Sequence, residues 1–127
     1  MTPDWLDDTV QAFGRQMGLA AFRFADNGAA GLRFENGLTL RFEYAYEALM
    51  VSLGFPVEPD AAALEHLLQL AHPSAAGVPR VRASYLAKTG EALLTVRLAE
   101  REVTVTTLEA VFRRLWAAAA TQRRIAS

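Results

Sequence analysis

The sequence predicts an α+β fold running helix, antiparallel strands, helix, two strands, helix. Three observations predict it. An amphipathic segment containing Phe13-Gly14-Arg15-Gln16-Met17-Gly18-Leu19 opens the chain, apolar and polar residues alternate from Phe22 to Tyr44, and helical periodicity returns near the end. With 127 residues and a hydrophobic fraction of 52%, residues 1–127 suit one domain with one core.

The first helix is expected to start at Pro3 with Thr2 as N-cap, because proline tolerates the first helical position. Asp4, Asp7 and Asp8 lie near the positive end of its dipole. Leu6, Val10, Phe13 and Met17 recur at helical spacing and define one apolar stripe. Gly18 is placed to end the helix as its C′ residue. Gly14 sits inside the helix, where glycine costs roughly 1 kcal/mol against alanine, so a close approach by another backbone is expected there.

Phe22 and Phe24 flank Arg23, which predicts a short half-buried strand ending at Asp26-Asn27-Gly28. Leu32 and Phe34 continue the alternation to Glu35-Asn36-Gly37, a strong hairpin signal. Beyond it Leu38, Leu40, Phe42 and Tyr44 point one way, with Thr39, Arg41 and Glu43 the other. Ala48 to Phe55 is more uniformly apolar and reads as a strand covered on both faces, ending at Pro56 and Pro59. From Asp60, Leu64, Leu67, Leu68 and Ala71 form a helical stripe that stops before Pro73. Val81 to Ala87 and Ala92 to Leu98 predict an antiparallel pair across Lys88-Thr89-Gly90-Glu91. Thr106 and Glu109 have capping-box spacing, and the helix they start carries Leu108, Val111, Phe112, Leu115 and Trp116 inward.

Composition excludes several functions. There is no cysteine, so disulfides and thiolate metal sites are ruled out. A formal charge of −1 gives no global attraction to nucleic acid or acidic membranes. The N-terminus is acidic where a secretory signal would be basic, and no apolar run approaches the ~20 residues of a spanning helix, which together predict a cytoplasmic protein. His66 and His72 are six apart with Pro73 following, the wrong spacing for a metal pair on one helical face, so no metal or cofactor is expected. Ser52, Ser74, Ser84 and Ser127 fall in no nucleophile-elbow pattern, and there is no glycine-rich phosphate loop. Arg113, Arg114, Arg123 and Arg124 read as a solvated helix face, with an RNA-binding patch as the sharper alternative. The chain is not expected to be an enzyme. Its apolar sheet residues exceed what three helices cover, which leaves surface for another chain.

Together these features resemble the Tir chaperone family, the class I chaperones of bacterial type III secretion. The family's first helix shows a Leu-x-x-Phe-Gly-x-x-Leu-Gly-Leu-like pattern, matched by Val10-Gln11-Ala12-Phe13-Gly14-Arg15-Gln16-Met17-Gly18-Leu19. Glu35-Asn36-Gly37-Leu38, Val51-Ser52-Leu53-Gly54-Phe55-Pro56 and the Leu-rich stretch from Ala63 to Ala71 follow in the family's order. The chain departs from the family in being close to neutral, and in ending its second helix with Ala71-His72-Pro73-Ser74. The resemblance implies a homodimeric α/β sandwich that holds the N-terminal segment of a secreted effector in extended form. It implies effector contacts at Leu6, Val10, Phe13, Phe22, Phe24, Leu32 and Phe34. It places the dimer interface at Leu64, Leu67, Leu68, Val81, Ala83 and Tyr85. An adaptor of the same fold that binds a folded protein is the alternative.

Overall fold

A computed structural model of the chain describes residues 2–19, 22–57, 65 and 81–126, the last six by backbone alone. Helix α1 (Asp4–Gln16) leads into strands β1 (Ala29–Arg33), β2 (Thr39–Ala45) and β3 (Ala48–Pro56). Strands β4 (Val81–Leu86) and β5 (Glu91–Ala99), a 3-10 turn at Glu100–Glu102 and helix α2 (Val105–Ala126) follow. The strands form one antiparallel sheet in the order β1-β2-β3-β5-β4. Of the helix expected from Asp60 to Ala71, only Glu65 lies within the described residues, and it is helical.

Helix α1 begins one residue later than expected. Pro3 is itself the N-cap, extended at φ −60° and ψ 145°, and its carbonyl accepts from the Leu6 and Asp7 N–H groups at 3.1 Å. No side chain caps this end, so Thr2 does not serve as expected. The other end follows the sequence. Gly18 takes φ +73°, its N–H bonds Arg15 C=O at 3.2 Å, and Leu19 N–H bonds Gly14 C=O at 2.7 Å, which is a Schellman motif. The chain then folds back over Gly14, where a Cβ would stand 3.1 Å from Phe22 Cβ and 3.3 Å from Leu19 O. That is the close approach the glycine implied.

Phe22 to Phe24 is not a strand. Burial still alternates, but Phe24 N–H donates to Asp7 Oδ1 at 3.3 Å, so a helix carboxylate replaces the strand partner. Two turns of one design follow. Ala25–Ala29 and Phe34–Leu38 each close with a glycine at positive φ, Gly28 at 78° and Gly37 at 89°. In each the preceding asparagine Oδ1 accepts the next backbone N–H at 3.1 Å, Asn27 from Ala29 and Asn36 from Leu38. The β2–β3 turn departs from this. Tyr46 and Glu47 both lie at positive φ, 52° and 57°, in the two-residue geometry that normally selects asparagine and glycine.

One face of the sheet is the core face. Leu40, Phe42, Leu49, Val51, Leu53, Phe55, Leu94 and Leu98 are fully buried there. Helix α2 lies over β3 and β5 and against α1. Phe13 is the hub, with ring centroids 5.5 Å from Phe42, 6.0 Å from Phe112 and 6.3 Å from Phe22. Among the described residues no element covers the opposite face, where Met50 and Ser52 of β3 are half-buried. The uniform apolarity of β3 therefore reflects its central place in the sheet, without a second described layer.

Helix α2 is capped two residues earlier than expected, at Thr104. Thr104 Oγ1 accepts the Thr107 N–H at 3.0 Å. Glu109 does not close a box with Thr106; it accepts from Arg113 at 2.6 Å and from Gln16 of α1 at 2.8 Å. Leu108, Val111, Phe112 and Leu115 face inward as expected, and Trp116 is half-buried. Among the described residues no helix is long and apolar enough to cross a membrane.

Candidate functional site

Strand β1 is an edge that pairs with β2 alone. Phe34 N–H bonds Leu38 C=O at 2.8 Å and Tyr44 N–H bonds Gly28 C=O at 3.0 Å, so even-numbered residues of this strand bond β2. Gly31 and Arg33 therefore turn their N–H and C=O groups away from the sheet. Gly31 is exposed, and the absence of a side chain keeps this edge open to a close strand.

The end of β1 leads into an apolar groove of about 370 Å³ lined by Met17, Leu19, Phe34, Phe112, Trp116 and Ala117, with Arg113 at its rim. Its walls are fixed by ring packing. Phe34 meets Trp116 edge-on at 5.0 Å, and Phe112 lies 5.5 Å from Trp116. The Gln16–Glu109–Arg113 hydrogen bonds fasten α1 to α2 beside it. An open strand edge running into an apolar groove can hold an extended chain, through backbone pairing along β1 and apolar side chains in the groove.

Nothing in this groove equips it for proton transfer. Among the described residues the perturbed titratable group is Tyr44, raised above its ordinary value chiefly by its hydrogen bond to Glu100, then by burial and the Glu100 and Glu47 charges. Among the described residues no cluster of His, Asp or Glu could hold a metal ion, and both histidines lie outside them.

A second groove, of about 540 Å³, opens on the other flank of α2. Val96, Leu98, Thr104, Thr107, Ala110 and Val111 line it.

The family model for the type III secretory system chaperone SycN matches residues 5–122. The chain belongs to this family. It is the kind of family that the Val10 to Leu19 pattern resembled. No curated protein matches the chain in sequence. Solved structures share its fold. A chain of the complex of the Yersinia pestis type III secretion chaperone SycH with a stable fragment of YscM2 aligns at TM-score 0.70 and 15% identity, covering 92% of this chain and 98% of that one. A chain of the ExsC–ExsE complex aligns at TM-score 0.72 and 15% identity, covering 96% and 93%. A chain of the ExoT–SpcS complex from Pseudomonas aeruginosa aligns at 0.66 and 15%, covering 95% and 98%.

Within this chaperone the expected effector contacts divide. Leu6, Val10 and Phe13 are 0% exposed and Phe22 is 5% exposed. In this structure they belong to the buried core between α1 and the sheet. Phe24, Leu32 and Phe34 are half-buried at the surface of the core, and Phe34 lines the groove. Met17, Leu19, Phe112 and Trp116, which line the groove with Phe34, were not among the expected residues. The Phe112–Trp116 spacing of four, on one helix face, was the available signal.

Of the expected dimer residues, Leu64, Leu67 and Leu68 lie outside the described residues. Val81 is 2% exposed, opposite Val96, and so is interior. Ala83 and Tyr85 are half-buried on the core face of β4, which is the other edge of the sheet. Arg113 is exposed and Arg114 half-buried, and the side chains of Arg123 and Arg124 lie outside the description.

Proposed function

We propose that this chain is a cytoplasmic, non-enzymatic chaperone that holds the N-terminal segment of a secreted effector in extended form. The observation that carries the reading is the continuity between the β1 edge, with Gly31 and Arg33 facing outward, and the groove at Phe34, Phe112 and Trp116. Strand pairing along β1 supplies backbone bonds, and the groove takes apolar side chains of the client. Ordering a disordered client costs about 2–5 kcal/mol or more, so the contact has to be extensive.

The reading includes a homodimer and a single functional domain. The core face of β4 and β5, with Ala83, Tyr85 and the groove at Val96 and Leu98, is the apolar surface a second copy would cover.

Hydrogen exchange on the co-purified complex tests the central claim. Protection is expected in a short N-terminal stretch of the partner. Protection throughout a folded partner domain would favour the adaptor alternative. Phe34→Asp supplies the residue-level test: client affinity falls by more than about tenfold while the chain's melting and dimerisation change little. Equal losses in all three would assign Phe34 to the core alone.

A further inference from the structure

One glycine of the sheet has no reason within the fold. Gly31, in the middle of β1, is not at positive φ, and a Cβ built there would meet only the Leu40 carbonyl oxygen, at an ordinary 3.7 Å. Gly54, the other glycine in a described strand, differs: Leu93 Cδ2 lies 3.0 Å from where its Cβ would stand. Glycine inside a strand weakens it, and it marks places where another backbone or a ligand approaches closely. Gly31 is exposed and turns its N–H and C=O away from β2, so the space its missing side chain leaves lies beside the open edge.

That space belongs to a hollow of about 570 Å³ on the face of the sheet turned away from the helices. Ala29, Gly31, Arg41, Glu43 and Ala45, the residues of β1 and β2 that point to this face, all line it. Arg41 stands directly across from Gly31, with no side chain opposite to pack against. It meets Glu43 at 3.8 Å, both side chains more than half exposed, so the two charges offset each other inside the hollow. The hollow therefore selects its occupant by shape, with no net charge to favour an acid or a base.

On the reading of β1 as the edge that takes the client, we propose that Gly31 is a specificity position that receives an aromatic side chain of the client strand. The client residue opposite Gly31 bonds its N–H and C=O and has its side chain on the same face, over the bare glycine backbone. A flat ring covers a glycine on an edge strand where a smaller side chain would leave the hollow unfilled, and the Arg41 guanidinium lies within reach of the ring face. The client residues on either side of it point to the opposite face, the one carrying Leu32 and Phe34. The preferred client strand is therefore apolar, aromatic, apolar, with the ring on the far side of the sheet from the groove.

The test pans a phage-displayed library of random peptides, about twelve residues long, on the full chain. Peptides that lose binding to Phe34→Asp sit at the β1 edge, and among them an aromatic residue between two apolar ones is expected. In a synthetic copy of one such peptide, replacing the aromatic residue by alanine should weaken binding about tenfold on the wild-type chain and less than about threefold on Gly31→Val. Gly31→Val should itself weaken the aromatic peptide about tenfold and leave the melting temperature unchanged or raised, since the site has room for a β-branched residue. If that variant melts lower, Gly31→Ala replaces it, with the same pattern at smaller amplitude. The proposal is overturned if edge peptides carry no aromatic residue, or if the loss on alanine replacement is equal on both chains; the effector reading survives either result. A library that yields no peptide sensitive to Phe34→Asp overturns both. The proposal also falls if Gly31→Val changes the sedimentation of the chain alone and leaves peptide binding intact, since a second copy would then occupy the hollow.

Discussion

The two halves of the sheet carry the same alternation of apolar and polar residues, yet they are finished differently. On the β1–β3 side Phe13, Phe22, Phe42 and Phe112 interlock under the helices, and Leu40, Val51 and Phe55 are fully buried. On the β5–β4 side Ala92, Leu94, Val96 and Leu98 of β5 are buried as well, but a groove opens beside Val96 and Leu98, and Ala83 and Tyr85 of the edge strand β4 remain half-buried. Periodicity thus fixes which face of a strand is apolar and says nothing of what covers it. The closed centre of the sheet governs stability, while the half-buried residues at its two edges, Leu32 and Phe34 beside β1 and Ala83 and Tyr85 on β4, are available for association.

The largest test of that contrast compares Phe13→Ala with Tyr85→Ala. Phe13 is 0% exposed and contacts three rings, so its truncation is expected to cost about 3–5 kcal/mol in urea unfolding. Tyr85→Ala should cost roughly 1 kcal/mol under conditions where the chain is monomeric. Equal losses would mean that the two halves are sealed alike.

Gly14→Ala probes the sealed half at a single methyl group. Alanine gains roughly 1 kcal/mol of helix propensity, yet the new Cβ meets Phe22 Cβ at 3.1 Å and the Leu19 carbonyl at 3.3 Å. Leu19 is held by its own hydrogen bond to Gly14, so the backbone gives little. Overpacking costs about 1–3 kcal/mol, and a net loss of about 1 kcal/mol is expected by thermal or urea unfolding. A more stable variant would show that the segment over α1 moves freely.

These positions also mark how far the sequence alone could be read. Gly14 and Gly18 were legible because glycine inside and just after an apolar helical stripe has few explanations. Asn36-Gly37 was legible through its turn chemistry, and so was the β4–β5 pair. Phe22 to Phe24 misled because alternation reports burial and cannot tell a strand from an extended segment whose donor is taken by Asp7. The expected effector contacts divide between core and surface for the same reason. An apolar stripe on α1 is equally apolar facing a core or a client, and only packing separates Phe13 from Phe34.

The turn between β2 and β3 meets the end of β5 at the seam between the halves, and nothing in the sequence signals its geometry. Tyr46 and Glu47 occupy left-handed backbone without asparagine or glycine, and Tyr46 is 96% exposed, so its side chain contributes nothing to packing. Replacing the pair by Asn-Gly should raise stability by roughly 1 kcal/mol, read from the urea midpoint. No gain would mean that the neighbouring bonds already hold the corner in place.

Those bonds define the smallest expected effect. Tyr44 donates to Glu100, Glu100 N–H reaches Glu47 C=O at 3.3 Å, and Ala99 N–H bonds Glu102 at 2.8 Å, so the end of β5 is tied to the β2–β3 corner. The neutral phenol is the form that donates, and the hydrogen bond to Glu100, with burial and nearby carboxylates, raises its pKa above 10.0. Because the folded value lies above the unfolded one, this bond's contribution is complete below the ordinary tyrosine range and is lost as pH rises through the raised value. The difference in melting temperature between wild type and Tyr44→Phe should therefore hold steady from neutral pH up to about pH 9 and narrow beyond the tyrosine range. A difference that stays constant into strong alkali would show that Tyr44 acts only by packing, and that the two halves are joined by backbone alone.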